Sequence, residues 1–154
     1  MAGRDSKSFF RYFPVSKRDR EWGCYALTAG VARIPPGVPY PPPGHPRGYA
    51  FRWETGRALR EYALVYIAEG RGHFECDGRR RCAVEAGSVL LLLPGVRHRY
   101  RPLPETGWIE YWVGFDGSFV RELMQRRFFP PQRPVLKLRD EPAVASLFQT
   151  MVTV

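Results

Sequence analysis

The stretch Gly107–Phe115 carries the side chains with the most evident chemistry. If it forms a β-strand, its side chains alternate between two faces, and Trp108, Glu110 and Trp112 share one of them. An aromatic face that packs against C–H groups, together with a carboxylate that accepts hydroxyl hydrogen bonds, suits the binding of a sugar. Core packing is the alternative for a tryptophan-rich strand, but a buried carboxylate without a partner costs roughly several kcal/mol. The presence of Glu110 therefore favours ligand binding over core packing as the role of this face.

Motifs for catalysis and metal binding are absent from the sequence. It contains no Gly-x-Ser-x-Gly nucleophile motif, and Gly70-Arg71-Gly72 is too short for a phosphate-binding loop. The three histidines, His45, His73 and His98, lie far apart along the chain, whereas a metal site takes about three or four protein ligands. We therefore expect no catalytic residue, no metal and no cofactor.

Short strands joined by tight turns are the elements that must position these residues. Glycine and proline number 15 each, and the Asp77-Gly78 pair predicts a hairpin. Gly70–Gly72 is expected to break one strand and begin the next. The predicted strands are Cys24–Ile34, Tyr49–Trp53, Glu61–Glu69, His73–Cys76, Arg79–Glu85, Ser88–Leu93, His98–Arg101 and Gly107–Phe115. Such a series predicts a mainly β protein with a jelly-roll or cupin-like barrel.

The segments around this barrel have a different character. Residues 1–22 are basic and aromatic without periodicity, which predicts an arm and not a strand. Seven prolines within 35–46 exclude helix and central strand and predict an extended loop.

Two helices are predicted after the barrel. Ser118 is expected to cap a helix over Phe119–Arg127, and Asp140 a second helix with Pro142 in its first turn. These helices either close the end of the barrel or present an apolar stripe to a partner. The predicted organisation is an arm over 1–22, a barrel over 23–117 and a helical segment over 118–154.

Charge and composition restrict the class of protein. The net charge is +9, and the excess lies at the ends, +4 over 1–20 and +5 over 121–139, so the barrel itself is not expected to bind nucleic acid. Three cysteines are too few and odd in number for a disulfide framework, and no long apolar run is present. We expect a cytoplasmic protein without membrane association. The chain stops within a predicted helix, which suggests a fragment of something longer.

One motif resembles a known superfamily. Gly87-Ser-Val-Leu-Leu-Leu-Leu-Pro94-Gly95-Val-Arg-His98 is similar to the second cupin signature, in which the histidine points into the barrel. Together with Glu61–Gly72 and Gly107–Phe115 it resembles the effector-binding N-terminal domains of AraC-type transcription regulators, over Tyr62–Asp116, about a third of the chain. Metal-binding cupins also offer a His-x-His pair, whereas the matching strand here reads Gly-His-Phe-Glu over 72–75.

The resemblance implies a small-molecule effector, expected to be a sugar, and a site for it in the barrel. Trp112 and Tyr100 match a stacking tryptophan and a pocket tyrosine of the family, whereas Glu110 and Glu69 differ in type from the family's polar residues and imply a different sugar or another ligand. The expected ligand-binding residues are Trp112, Glu110, Tyr100, His98, Glu69 and Trp53.

The resemblance also implies a homodimer that controls a DNA-binding domain outside this chain. The expected dimer contacts are Phe119, Val120, Leu123, Met124 and Arg127. DNA would be bound only by a helix-turn-helix domain that follows Val154, and the arm or the proline-rich loop would close over the effector. Two alternatives stay open: a metal-dependent cupin isomerase or dioxygenase, and a dimerisation module whose own side chains fill the barrel around Trp112.

Overall fold

The computed structural model describes residues 8–44, 49–129 and 131–153. The strands are β1 (Phe9–Tyr12), β2 (Tyr25–Ile34), β3 (Tyr62–Cys76), β4 (Cys82–Glu85), β5 (Ser88–Leu92), β6 (His98–Pro102), β7 (Trp108–Asp116) and β8 (Val135–Lys137). The helices are α1 (Lys17–Trp22), α2 (Ser118–Gln125) and α3 (Glu141–Thr153). All strand pairs are antiparallel. The predicted architecture, a mainly β cupin-like barrel followed by C-terminal helices, is confirmed.

The longest strand, β3, connects the two layers of the barrel. Its first half lies in a sheet of order β1-β2-β7-β3-β5-β8, and its second half pairs with β4 and β6. The register shifts between Ile67 and Glu69, and Gly70 follows with a φ of 90°. A Cβ at Gly70 would lie 2.1 Å from the carbonyl oxygen of Gly107, so only glycine fits this bend. The expected break at Gly70–Gly72 was wrong because the glycine bends the strand without ending it.

The core lies on both faces of the first sheet. Between the layers pack Val65, Ile67, Phe74, Leu90, Leu92 and Trp108, each at most 2% exposed. On the outer face, Phe148 of α3 stacks on Tyr66 of β3 with ring centroids 5.5 Å apart. All five residues of β5 are buried because the strand is covered on both sides, as its continuous apolar run predicts.

The N-terminal segment is more ordered than the sequence predicts. Phe9–Tyr12 pairs with β2, so the interpretation of 1–22 as an arm without a strand was wrong for this part, while residues 1–7 lie outside the described residues. Four residues are too few for periodicity to be seen, and β1 lies at the edge of its sheet, where charged residues are common. Ser16 and Asp19 then form a capping box that begins α1.

Two further predictions need correction. Tyr49–Trp53 forms no strand. The segment is a loop in which an isolated bridge joins Arg52 to Gly56, so the alternation of its aromatic residues did not indicate a strand. Ser118 lies within α2, whose N-cap is Gly117 without a side-chain cap bond. The Asp140 cap is confirmed, because its Oδ1 accepts a hydrogen bond from the Ala143 N–H at 3.2 Å.

Candidate ligand-binding site

A cleft of about 600 Å³, including the space at its mouth, opens into the barrel. Side chains from β1, β7, the proline-rich loop and the 49–61 segment line it. Three of the six predicted ligand-binding residues are among them: Trp112, Glu110 and Tyr100. Tyr40, Arg57 and Glu61, which the sequence analysis did not single out, lie there as well.

Trp112 owes its place in the cleft to a glycine on the neighbouring strand. It pairs with Gly30 of β2, and a Cβ at Gly30 would lie 2.4 Å from Cζ2 of the indole. The absence of a side chain at Gly30 therefore leaves room for the ring to cross β2. Trp112 is half-buried, so the barrel is not packed solid around it.

Glu110 is a buried carboxylate held by a loop residue. It is 5% exposed, and the Tyr40 hydroxyl lies 3.1 Å from each of its oxygens. Burial raises the pKa of Glu110 to about 7, although Tyr40, Arg57 and Trp108 oppose the rise. Burial and the Glu110 charge likewise raise the pKa of Tyr40 well above its usual value. Near neutral pH this carboxyl can therefore exist in either protonation state.

The guanidinium of Arg57 organises the other polar groups of the cleft. It donates to the Tyr100 hydroxyl at 2.7 Å, to the backbone oxygen of Tyr49 and to His98 Nε2 at 3.3 Å. Its Cζ also lies 5.0 Å from the centroid of the Phe51 ring, within cation–π distance. These three acceptors can hold the Arg57 guanidinium in one geometry for a ligand.

His98 does not line the cleft, but it contacts Arg57, which does. It is 2% exposed, and its Nδ1 lies 3.2 Å from the Val96 carbonyl oxygen, so the tautomer with the proton on Nδ1 leaves Nε2 to accept from Arg57. Burial, and then the Arg57 charge, lower the pKa of His98 to about 4. The histidine of the cupin-like signature therefore positions an arginine. Within the described ranges, no group of three His, Cys, Asp or Glu side chains comes together for a metal.

Glu69 and Trp53 lie outside the cleft, which corrects the predicted ligand set. Glu69 is exposed, because it follows the register shift in β3 and the face of the strand changes there. Trp53 belongs to no strand, so alternation does not determine its direction. Its ring is instead covered by the guanidinium groups of Arg99 and Arg101, whose Cζ atoms lie 4.6 and 3.8 Å from its centroid.

The predicted dimer residues differ in their exposure. Phe119 is 54% exposed, and Arg127 is also exposed, with a φ of 60°. Leu123 and Met124 are half-buried. Val120 is 5% exposed and packs inward, so its inclusion as a contact with a partner is corrected.

The comparisons with known proteins agree with this architecture. Residues 42–153 match the family described as AraC-like ligand binding domain. No curated protein matches the sequence. No described helix has both the length and the apolar character needed to cross a membrane.

Among solved structures, the protein YhaK from Escherichia coli is similar, with a TM-score of 0.55 and 16% identity over 86% of this chain and 50% of that chain. This chain therefore spans about half the length of YhaK. A Cupin 2 conserved barrel domain protein from Salinispora arenicola gives a TM-score of 0.43 and 21% identity over 80% of this chain and 87% of that chain. At this identity the likeness to YhaK concerns the fold alone.

Proposed function

Because this chain belongs to the AraC-like ligand binding domain family, we propose that its cleft binds a sugar as the effector of a transcription regulator. In this proposal the domain is a sensor and not an enzyme, it acts in the cytoplasm as a homodimer, and DNA is bound by a helix-turn-helix domain outside this chain.

The observation that carries the proposal is the pair formed by Trp112 and Glu110 on one face of β7. An indole face and a carboxylate two residues apart can contact the C–H face and a hydroxyl of one sugar ring. Arg57 and Tyr100 add a cation and a hydroxyl in the same cleft.

A ligand hydroxyl would take the place of the Tyr40 hydroxyl on Glu110. Tyr40 belongs to the proline-rich loop, and its ring packs edge-on against Trp108 with centroids 5.7 Å apart. Displacement of this ring would move the loop, so ligand binding and loop position become linked. A ligand shifts such an equilibrium only by its different affinity for the two loop positions.

The N-terminal segment offers a route from the cleft to the proposed dimer surface. Phe10 and Tyr12 of β1 line the cleft, and α1 follows them. The residue after α1, Gly23, accepts a hydrogen bond from the Phe119 N–H of α2 at 2.9 Å. A change in β1 can thereby alter the position of α2 relative to a second subunit.

A thermal-shift screen tests this function. The purified domain is heated with common mono- and disaccharides, and in parallel arms with EDTA or with divalent metals. A sugar at about a hundred times its Kd should stabilise the fold by about 2.7 kcal/mol. No response to any sugar together with a loss of stability in EDTA would contradict the proposal and favour the metal-dependent enzyme.

A further inference from the structure

Glu61 is a second buried carboxylate in the cleft. It immediately precedes β3, is 7% exposed and lines the cleft wall. Its Oε1 is buried and accepts no hydrogen bond from any residue in the described part of the chain. Because an unpaired buried carboxylate oxygen destabilises the fold, its presence points to a partner that the described chain does not supply.

The position of Glu61 places it on the opposite side of Trp112 from Glu110. A Cβ at Gly114 would lie 3.6 Å from Glu61 Oε1, so the carboxylate rests against Gly114. Gly114, Trp112 and Glu110 alternate on one face of β7, which puts the outer two Cα atoms roughly 13 Å apart with Trp112 midway. A ligand stacked on Trp112 would therefore have one carboxylate near each end.

The neighbours of Glu61 indicate what kind of group it would accept. Burial, and then a hydrogen bond to Glu61, raise the pKa of Tyr49 well above its usual value, so the Tyr49 hydroxyl stays protonated and can donate to the Glu61 carboxylate. Arg11 and Arg57 also line the cleft, which therefore already holds two positive charges as well as its two carboxylates. A neutral hydrogen-bond donor therefore suits Oε1 better than a cation.

We propose that Glu61 is a ligand-binding and specificity-determining residue that accepts a hydrogen bond from a sugar hydroxyl at the end of the cleft opposite Glu110. The proposal rests on the function proposed above and narrows it. The ligand carries a neutral hydroxyl at this end, and a carboxylate there would be repelled by Glu61.

The first test measures the stability of the free protein. Glu61→Gln has nearly the same shape and removes the buried charge, and Glu105→Gln, an exposed position in the turn before β7, is the matched control. If Glu61 is held ready for a ligand, Glu61→Gln melts at the same temperature as the wild type or higher. A lower melting temperature for Glu61→Gln alone would overturn the proposal, because it would assign Glu61 a structural role.

The second test is a calorimetric titration with glucose and galactose and with their uronic acids, glucuronate and galacturonate. One of the neutral sugars should bind the wild type at least tenfold more tightly than its uronate does. Glu61→Gln should weaken the binding of that neutral sugar about 10- to 100-fold, because hydrogen bonds to charged groups contribute more than neutral ones. Glu105→Gln should bind as the wild type does.

The outcomes separate this proposal from the broader one. A neutral sugar that binds wild type and Glu61→Gln equally, or a uronate that binds the wild type as tightly as its neutral counterpart, overturns the role of Glu61 and leaves the sugar sensor intact. If no saccharide of the thermal-shift screen and neither uronate binds the wild type, the sugar-sensing function fails, and the role of Glu61 fails with it.

Discussion

The Tyr40 hydroxyl lies 3.1 Å from both carboxylate oxygens of Glu110. A phenol hydroxyl has one hydrogen to donate, so it can satisfy only one of these oxygens at a time. The same contact holds the proline-rich loop on the barrel and covers the carboxylate that we assign to the ligand. The loop and the ligand therefore compete for Glu110.

The substitution Tyr40→Phe separates the two roles of the Tyr40 hydroxyl, which holds the loop on the barrel and covers the Glu110 carboxylate. Removal of the hydroxyl leaves Glu110 without its partner, so we expect the free protein to lose about 1–3 kcal/mol of unfolding free energy. The affinity for the sugar should rise, because no hydroxyl has to be displaced. Chemical denaturation and calorimetric titration of the same preparation measure both quantities. A fall in affinity would instead make Tyr40 part of the ligand contact.

The pH dependence of stability should contain two opposed contributions. The pKa of Glu110 is raised to about 7, so the folded protein holds the proton longer than the unfolded chain, and this contribution falls as pH rises from about 4.5 to 7. The pKa of His98 is lowered to about 4, so its contribution rises with pH between about 4 and 6.5. Each shift corresponds to about 3 kcal/mol, and in the wild type they largely cancel.

Single variants should reveal each contribution. In Glu110→Gln the remaining His98 makes stability rise with pH over this window relative to the wild type. In His98→Gln the remaining Glu110 makes it fall. Urea denaturation at pH 4, 5, 6 and 7 gives the two slopes. Parallel pH profiles for the wild type and both variants would show that neither group titrates as its burial implies.

The sequence predicts only in outline the part of the site that Gly30 and Trp112 form. Alternation along β7 correctly grouped Trp108, Glu110 and Trp112, because a regular strand has a fixed period of two. The same rule failed for Glu69, where the strand bends, and for Trp53, which lies in a loop. Alternation says nothing about residues outside regular strands.

The residues that complete the site come from irregular segments. Tyr40, Arg57 and Glu61 reach the cleft because the proline-rich loop and the 49–61 segment fold over the barrel mouth, and no local pattern encodes that path. Likewise, β1 is a short edge strand whose pairing with β2 depends on contacts distant in sequence. The barrel and its helices, in contrast, follow from turn residues and apolar periodicity.

Gly30→Ala should disturb the site through its neighbour. The added Cβ would lie 2.4 Å from the Trp112 ring and 2.6 Å from the Phe9 carbonyl oxygen, so the ring must move. We expect a loss of about 1–3 kcal/mol in stability and weaker sugar binding. Ala26→Val, at an exposed position of the same strand, is the control. Unchanged sugar affinity in Gly30→Ala would mean that the position of the indole does not matter to the ligand.

The proposed dimer surface can be tested at Phe119. Its side chain is 54% exposed at the start of α2, so Phe119→Glu should leave the fold intact and convert a dimer into a monomer. Sedimentation velocity over a range of concentrations measures this change. Leu147→Glu, at a 64% exposed position of α3, tests whether the other helix contributes. A monomeric wild type, or a Phe119→Glu protein that still dimerises, contradicts the assignment of α2.

The most direct test of the sensor is a calorimetric titration of the most stabilising saccharide into wild type, Trp112→Ala and Trp22→Ala. Trp22 is 83% exposed at the end of α1 and serves as the matched control. We predict that Trp112→Ala weakens binding at least tenfold, about 1.4 kcal/mol or more, while Trp22→Ala binds as the wild type does. Equal affinity in Trp112→Ala and the wild type would contradict the central claim that the cleft of the barrel binds the effector against this indole.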